Sequence, residues 1–213
     1  MTEPETAILH YTAPPIIGGV EAVILAHAKA FVEVGYAISV VAGRGEAAAL
    51  PDGVDFFHIP GLDSQHDEVA RMGAMLEQGR VPSGFDDLTD RLTEELAPVL
   101  GRFDDVIIHN VFTKHFNLPL TAALHRLLDT DVVRHCIAWC HDFTWTSPRS
   151  RSKVHAGHPW DLLRTYRPDV TYVVVSERRK RALVQLLECP PDRVHVIYNG
   201  VDPEVLLGLS AEG

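Results

Sequence analysis

Several stretches of this chain place a histidine, a carboxylate or a glycine pair directly after a short apolar run. The first is His10-Tyr11-Thr12-Ala13-Pro14-Pro15-Ile16-Ile17-Gly18-Gly19-Val20-Glu21, which succeeds Ala7-Ile8-Leu9 and opens an amphipathic segment reaching Val34. Two prolines stiffen this loop, while Gly18 and Gly19 let its backbone bend and approach a ligand closely. The free N–H groups and positive dipole end of the next helix make an anion site. A Gly-Gly pair before a helix is also ordinary turn chemistry, and Glu21 favours a helix N-terminus electrostatically whatever else it does. The other stretches are Gly43-Arg44-Gly45, His109-Asn110 with Lys114 nearby, His141-Asp142 and Ser176. A histidine or carboxylate in such a place orients a substrate hydroxyl or exchanges a proton near neutral pH.

Other chemistries are disfavoured by the residues present. No Gly-x-Gly-x-x-Gly trails the first apolar run, so a nicotinamide site is not expected. Neither a P-loop Gly-Lys-Ser/Thr nor a Gly-x-Ser-x-Gly elbow is present. Cys136, Cys140, His135, His141, His155 and His158 raise the question of zinc. On a straight strand, however, residues 136 and 140 stand about 13 Å apart, too far for two ligands each about 2.3 Å from one ion. Burial as small core residues explains the cysteines better. The His-Asp pair of metal phosphohydrolases has a helical setting, whereas His141-Asp142 ends a strand. Trp139, Trp145 and Trp160 offer flat faces for a sugar ring or, alternatively, for packing.

The elements that must position these residues alternate between strand and helix. Strands are expected at Ala7–Tyr11, Tyr36–Ala42, Val54–Ile59, Asp105–Asn110, Val133–Cys140, Val170–Val175 and Val194–Tyr198. Gly19–Val34 reads as a helix with Val20, Val23, Ile24, His27, Ala28 and Phe31 on one face, ended by Gly35 as an αL cap. Residues 63–102 read as helical with a break near Pro82-Ser83-Gly84. Leu118–Leu128 and Glu177–Leu187 read as further helices, the second capped by Ser176. The fold class is therefore α/β, a single Rossmann-like domain built on an open parallel sheet with helices on both faces. In such sheets ligands bind beyond the C-terminal strand ends, which gathers the polar residues above on one rim.

At 213 residues the chain is long enough for one sizeable core. No apolar run reaches the roughly 18–20 residues that span a bilayer, and Met1-Thr2-Glu3-Pro4-Glu5 lacks the character of a signal peptide. A cytoplasmic protein is expected, consistent with three cysteines that form no disulfide framework. The net charge of -10 disfavours nucleic acid as a partner. That charge is uneven: residues 134–213 carry 11 Lys/Arg against 9 Asp/Glu, and residues 1–133 carry 8 against 20. The basic clusters Arg149–Lys153 and Arg178–Arg181 read as solvated surface; the sharper reading is weak contact with a membrane surface or an anionic substrate.

The chain resembles the opening of the GT-B glycosyltransferases of family 4 (group 1). The resemblance rests on Gly18-Gly19-Val20-Glu21 with the helix to Gly35, on His141-Asp142-Phe143-Thr144-Trp145, on Val173-Val174-Val175-Ser176-Glu177, and on Val196-Ile197-Tyr198-Asn199-Gly200-Val201-Asp202. It extends from residue 7 to about residue 203, and the last segment is its most specific signal. It implies one half of a two-domain enzyme that moves a sugar from a nucleotide diphosphate sugar to an acceptor hydroxyl, with retention and without a metal or other cofactor. The N-terminal half mostly holds the acceptor, which is a sugar, a lipid-linked group or a small molecule. Residues 1–199 would then be that domain, and residues 200–213 the start of the crossover to a donor-binding domain that this sequence does not contain. The isolated chain is accordingly expected to be inactive, with a peripheral place at the inner membrane face as an extension of the cytoplasmic reading. By resemblance, Gly18 and Gly19 approach the donor diphosphate and His141 is the cleft histidine beside the transferred sugar. Glu21 matches the family motif, and Asp142, His109, Asn110 and Lys114 are placed toward the acceptor by position alone. Two alternatives remain: a stand-alone binding module or subunit that pairs with a separate donor-binding chain, and an unrelated nucleotide-binding protein.

Overall fold

A computed structural model of the protein describes residues 5–200. Seven strands form one wholly parallel sheet: β1 (Glu5–His10), β2 (Ala37–Ala42), β3 (Asp55–His58), β4 (Asp105–His109), β5 (His135–Cys140), β6 (Val170–Val174) and β7 (Val194–Val196). Their order is β3-β2-β1-β4-β5-β6-β7. The central strands are nearly unbroken apolar runs because both of their faces are covered. Ala7, Ile8 and Leu9 of β1 have no solvent exposure.

Among the described residues the α-helices are α1 (Gly19–Glu33), α2 (Asp67–Leu76), α3 (Phe85–Leu100), α4 (Leu118–Asp129) and α5 (Glu177–Leu187). Strand alternation divides the apolar side chains between two cores. Leu9, Val41, Val106, Ile108, Ala138 and Val174 join the larger core, with Val69 and Met72 of α2, Leu92 and Leu96 of α3, Leu124 of α4 and Leu183 of α5. Ile8, Val40, Ile107, Trp139 and Val173 point the other way and meet Ile24 and Ala28 of α1. Helices therefore cover both faces, and the next residues of the same parity as Ile8 and Ile107 are His10 and His109.

Local chemistry explains most element ends. Gly35 comes just after α1 with φ of +81°, a conformation that glycine adopts without a Cβ penalty. Ser176 caps α5 by accepting a hydrogen bond from the Arg179 N–H at 3.2 Å. The expected helical stretch 63–102 is two helices whose break starts earlier than Pro82, at the end of α2, and contains Gly79 at φ +77°. The strand expected from Val133 begins at His135, since the N–H groups of Val132 and Val133 instead close the end of α4 on the Leu127 carbonyl. β7 stops at Val196 rather than Tyr198 because β6, its neighbour in the sheet among the described residues, ends at Val174 opposite it and turns into α5. Val201, Asp202 and the remainder of the expected crossover lie outside the described residues.

Candidate functional site

The order of the sheet reverses between β1 and β4: from β1 the chain moves outward to β2 and β3, and from β4 it moves the opposite way. A crevice opens beyond the C-terminal ends of strands at such a switch point. Here it is a cleft of roughly 360 Å³. His10, Thr12, Gly19 and Glu21 line it from the β1 side, Asn110 and Lys114 from the β4 side, and Arg44 and Asp142 from the flanks. Of the residues singled out by sequence, Gly19, Glu21, Asn110, Lys114 and Asp142 thus share one cleft, with Gly18 next to it in the loop.

Gly18 is the N-cap residue of α1 and offers no side-chain cap. Among the described residues, the N–H groups of Gly19, Val20 and Glu21 have no hydrogen-bond acceptor; the first α1 bond runs from Ala22 N–H to the Gly18 carbonyl. The buried carboxylate of Glu21 folds back over Gly18, where any Cβ would collide with it, and accepts a hydrogen bond from the Thr12 hydroxyl. The helix end therefore faces the cleft together with a carboxylate.

Asn110 is the hinge pin of the opposite wall. Its φ is +61°, in the left-handed region that asparagine tolerates better than most residues. Its N–H donates to the Trp139 carbonyl at 2.9 Å, tying the end of β4 to β5. Its Oδ1 accepts from the N–H groups of His141 at 2.9 Å and Asp142 at 3.2 Å. Asn110 therefore acts largely by holding the His141-Asp142 segment in place, an action that sequence position alone does not reveal.

His109 differs from its expected place. It has no solvent exposure, so it has no surface to offer an acceptor. Its ring lies behind that of His141, nearly parallel to it with centroids 5.3 Å apart, and its Nδ1 is 3.0 Å from His141 Nε2. Trp139 stacks on His109 at 5.7 Å, and His27 of α1 packs against it at 5.5 Å. His10 directs Nδ1 at the His109 carbonyl oxygen, 2.9 Å away. Burial holds the pKa of His109 well below the ordinary value, helped by the neighbouring imidazoles, and lowers that of His10 for the same first reason. Burial also brings His141 down to about 4, with His10 adding to the shift and Asp142 opposing it. At neutral pH the cluster consists of uncharged rings.

Residues 17–205 match the sequence pattern of Glycosyltransferase Family 4. The chain belongs to that family. Among solved structures it is similar to WaaG, a glycosyltransferase involved in lipopolysaccharide biosynthesis, with a TM-score of 0.57 and 11% identity over 93% of this chain and 46% of that one. It is also similar to α,α-trehalose 6-phosphate synthase from Burkholderia multivorans, with a TM-score of 0.50 and 16% identity over 88% of this chain and 43% of that one. These likenesses show the fold, one half of a GT-B architecture. The chain spans a little under half the length of each of these structures. No curated protein matches the sequence.

Asp142 and Arg44, the flanking cleft residues of this family 4 domain, are held by ion pairs that no local pattern announces. Asp142 pairs with Arg179 of α5, whose guanidinium also lies over the Phe143 ring. Lys153 pairs with Glu77 at 2.9 Å. Each of the two basic clusters thus gives one residue to a part-exposed ion pair with a carboxylate elsewhere in the chain. Arg44 pairs with Asp63 at 3.1 Å. Lys114 makes no ion pair among the described residues; its ammonium lies 4.8 Å from the Phe116 ring centroid, and burial lowers its pKa against the opposing pull of Asp142.

Cys136 and Cys140 are buried free thiols whose pKa burial pushes up, to about 12 for Cys140. Among the described residues no three His, Cys, Asp or Glu side chains converge on a metal position. Trp139 and Trp160 are buried, and the Trp145 indole donates to the Trp160 carbonyl at 3.2 Å, so these rings pack. Sequence reasoning places His10 on the rim without selecting it as a site residue, and it treats His27 as a plain helix-face residue. A signal is nonetheless present: His10 and His109 succeed Ile8 and Ile107 at the strand period of two, which puts them on the face that α1 covers.

Proposed function

We propose that this domain forms the acceptor-side wall of a retaining glycosyltransferase, which moves a hexosyl group from a nucleotide diphosphate sugar to an acceptor hydroxyl. The observation that carries this reading is the cleft at the β1/β4 switch point, lined by Gly19, Val20 and Glu21 at the unbonded N-terminus of α1 and, opposite, by Asn110 and Asp142, the residues that hold and follow His141. The donor diphosphate takes the N–H groups at Gly18, Gly19 and Val20, where the helix dipole favours negative charge. His141 stands beside the transferred sugar as a neutral hydrogen-bond donor and stabilises oxygen charge in the transition state. Asn110 holds His141 in position, while Lys114 and Asp142 meet the acceptor, a sugar, a lipid-linked group or a small molecule. No step of this reading requires a metal.

A donor-binding domain supplies the other wall, and the present domain by itself carries out little or no transfer. The alternative is a binding module that pairs with a separate donor-binding subunit. The fully exposed Ile17 beside the glycine pair, with the part-exposed Phe116 at the cleft, favours a second body over this rim in either case. The reaction belongs in the cytoplasm, with weak contact between the remaining exposed basic side chains and the membrane surface. The test is acceptor-dependent release of nucleoside diphosphate from a panel of nucleotide sugars by the complete native polypeptide that carries this domain.

A further inference from the structure

We infer that His109 is a buried tautomer clamp: through its carbonyl and its ring it fixes the protons of its two neighbours, so that His10 offers the cleft a bare Nε2 acceptor and His141, next in the chain to the cleft-lining Asp142, carries its proton on Nδ1 as a donor. The His10 half rests on one bond. Its Nδ1 lies 2.9 Å from the His109 carbonyl oxygen, and a carbonyl oxygen accepts only, so the proton of the neutral ring is on Nδ1. Nε2 is left with a lone pair, on a residue that lines the cleft.

The His141 half turns on which ring donates across the 3.0 Å contact between His109 Nδ1 and His141 Nε2. The other nitrogen of His109, Nε2, is buried and has no partner among the described residues. With its proton there, His109 would bury an orphan N–H. With its proton on Nδ1, it buries only an unfilled acceptor, the less costly of the two. His109 therefore donates to His141 Nε2, and the proton of His141 is on Nδ1. That nitrogen has no protein partner among the described residues. A second proton on any of the three rings is opposed by burial and by the closeness of the others, with centroids 5.3 Å apart for His109–His141 and 6.5 Å for His10–His109. His27, Tyr11, Glu21 and Asp142 are the other titratable groups facing the set; the Tyr11 phenol is kept neutral by burial, and the carboxylates oppose the shift and are outweighed by burial.

The functional consequence rests on the glycosyl-transfer reading of the cleft. A substrate hydroxyl donates to His10 Nε2, and a sugar or phosphoryl oxygen accepts from His141 Nδ1–H. His141 has no free lone pair with which to act as a base. His109 touches no substrate and is a positioning residue.

The experiment is a long-range ¹H–¹⁵N correlation spectrum of the chain labelled with ¹⁵N-histidine at pH 7, its resonances assigned with single His→Gln variants. The expected result is the Nδ1–H form, the minor tautomer of a free histidine side chain, at His10, His109 and His141 alike. His109→Asn keeps a side-chain N–H close to the Nδ1 position and is expected to preserve the Nδ1–H signature of His141, whereas His109→Leu loses it. A wild-type spectrum showing an Nε2–H or a doubly protonated ring at His10 or His141 overturns the clamp, and needs no variant to fold. Turnover by the complete polypeptide is a separate readout: its absence alongside the stated tautomers overturns the transferase reading and leaves the clamp.

Discussion

At Glu21 two roles meet on one carboxylate. It closes the turn by accepting from Thr12 over Gly18, yet it also places negative charge beside the helix end proposed for the donor diphosphate. Replacing it by Gln keeps an acceptor for Thr12 and removes the charge. At a separation of several ångströms near a protein surface that charge opposes an anion by about 1 kcal/mol after screening. Glu21→Gln in the complete polypeptide is therefore expected to tighten nucleoside diphosphate binding about fivefold, read by calorimetry. Unchanged or weaker binding would instead place Glu21 on the sugar or the acceptor. His109 shows what one sequence can and cannot reveal at this scale. Its position after Ile107 and Ile108 correctly puts it at a strand end, and alternation gives its face. Its depth depends on Trp139 and His27 closing over it, side chains brought from β5 and α1, and no local pattern carries that. The Asp142–Arg179 pair is hidden for the same reason, being formed between residues 37 apart in the chain.

The elements are more legible than the contacts among them, because each start and stop has a local chemical cause. The Ser176 cap of α5 is one such cause. α5 bears Arg178, Arg179, Lys180 and Arg181 near its positive end, a charge placement that disfavours the helix. Ser176→Ala should therefore cost about 1 kcal/mol, measured as a fall in the urea unfolding free energy of the domain. Because Arg179 reaches Asp142 from the first turn of this helix, the same variant should loosen that ion pair. No change in stability would mean that the cap is replaced by water without cost. Gly43 illustrates a requirement that sequence shows only as a turn: an added Cβ would meet the backbone of Asp63, so the close approach of that loop to the end of β2 accepts glycine alone. The β7 boundary is overextended in the sequence because apolar residues continue to Tyr198 after its partner strand has ended.

For the molecule as a whole, the burial of histidines has a consequence for pH. Burial lowers the pKa of His10 and His109 and brings His115, His125 and His141 to about 4. The unfolded chain takes up protons at these sites near pH 6.5, and the folded chain does so only at lower pH, near pH 4 for His115, His125 and His141. Between those values the unfolded state binds more protons, so folding stability is greatest above pH 6.5 and falls as the pH is lowered toward 4. Each such group contributes up to about 1.4 kcal/mol per pH unit within that window. Urea titrations from pH 7 to pH 4.5 should show a steadily declining unfolding free energy, while a flat profile would mean that these rings are protonated in the folded state. The same burial keeps the cleft imidazoles neutral under the conditions in which sugar transfer is proposed to occur. The most direct measurement of that proposal is release of nucleoside diphosphate from nucleotide sugars, with and without acceptor, by the complete native polypeptide and by its His141→Ala variant. Acceptor-dependent release that falls about a hundredfold in the variant, without loss of folding, is the predicted result. Release unaffected by His141→Ala, or no turnover of any nucleotide sugar by the wild-type polypeptide, would contradict it.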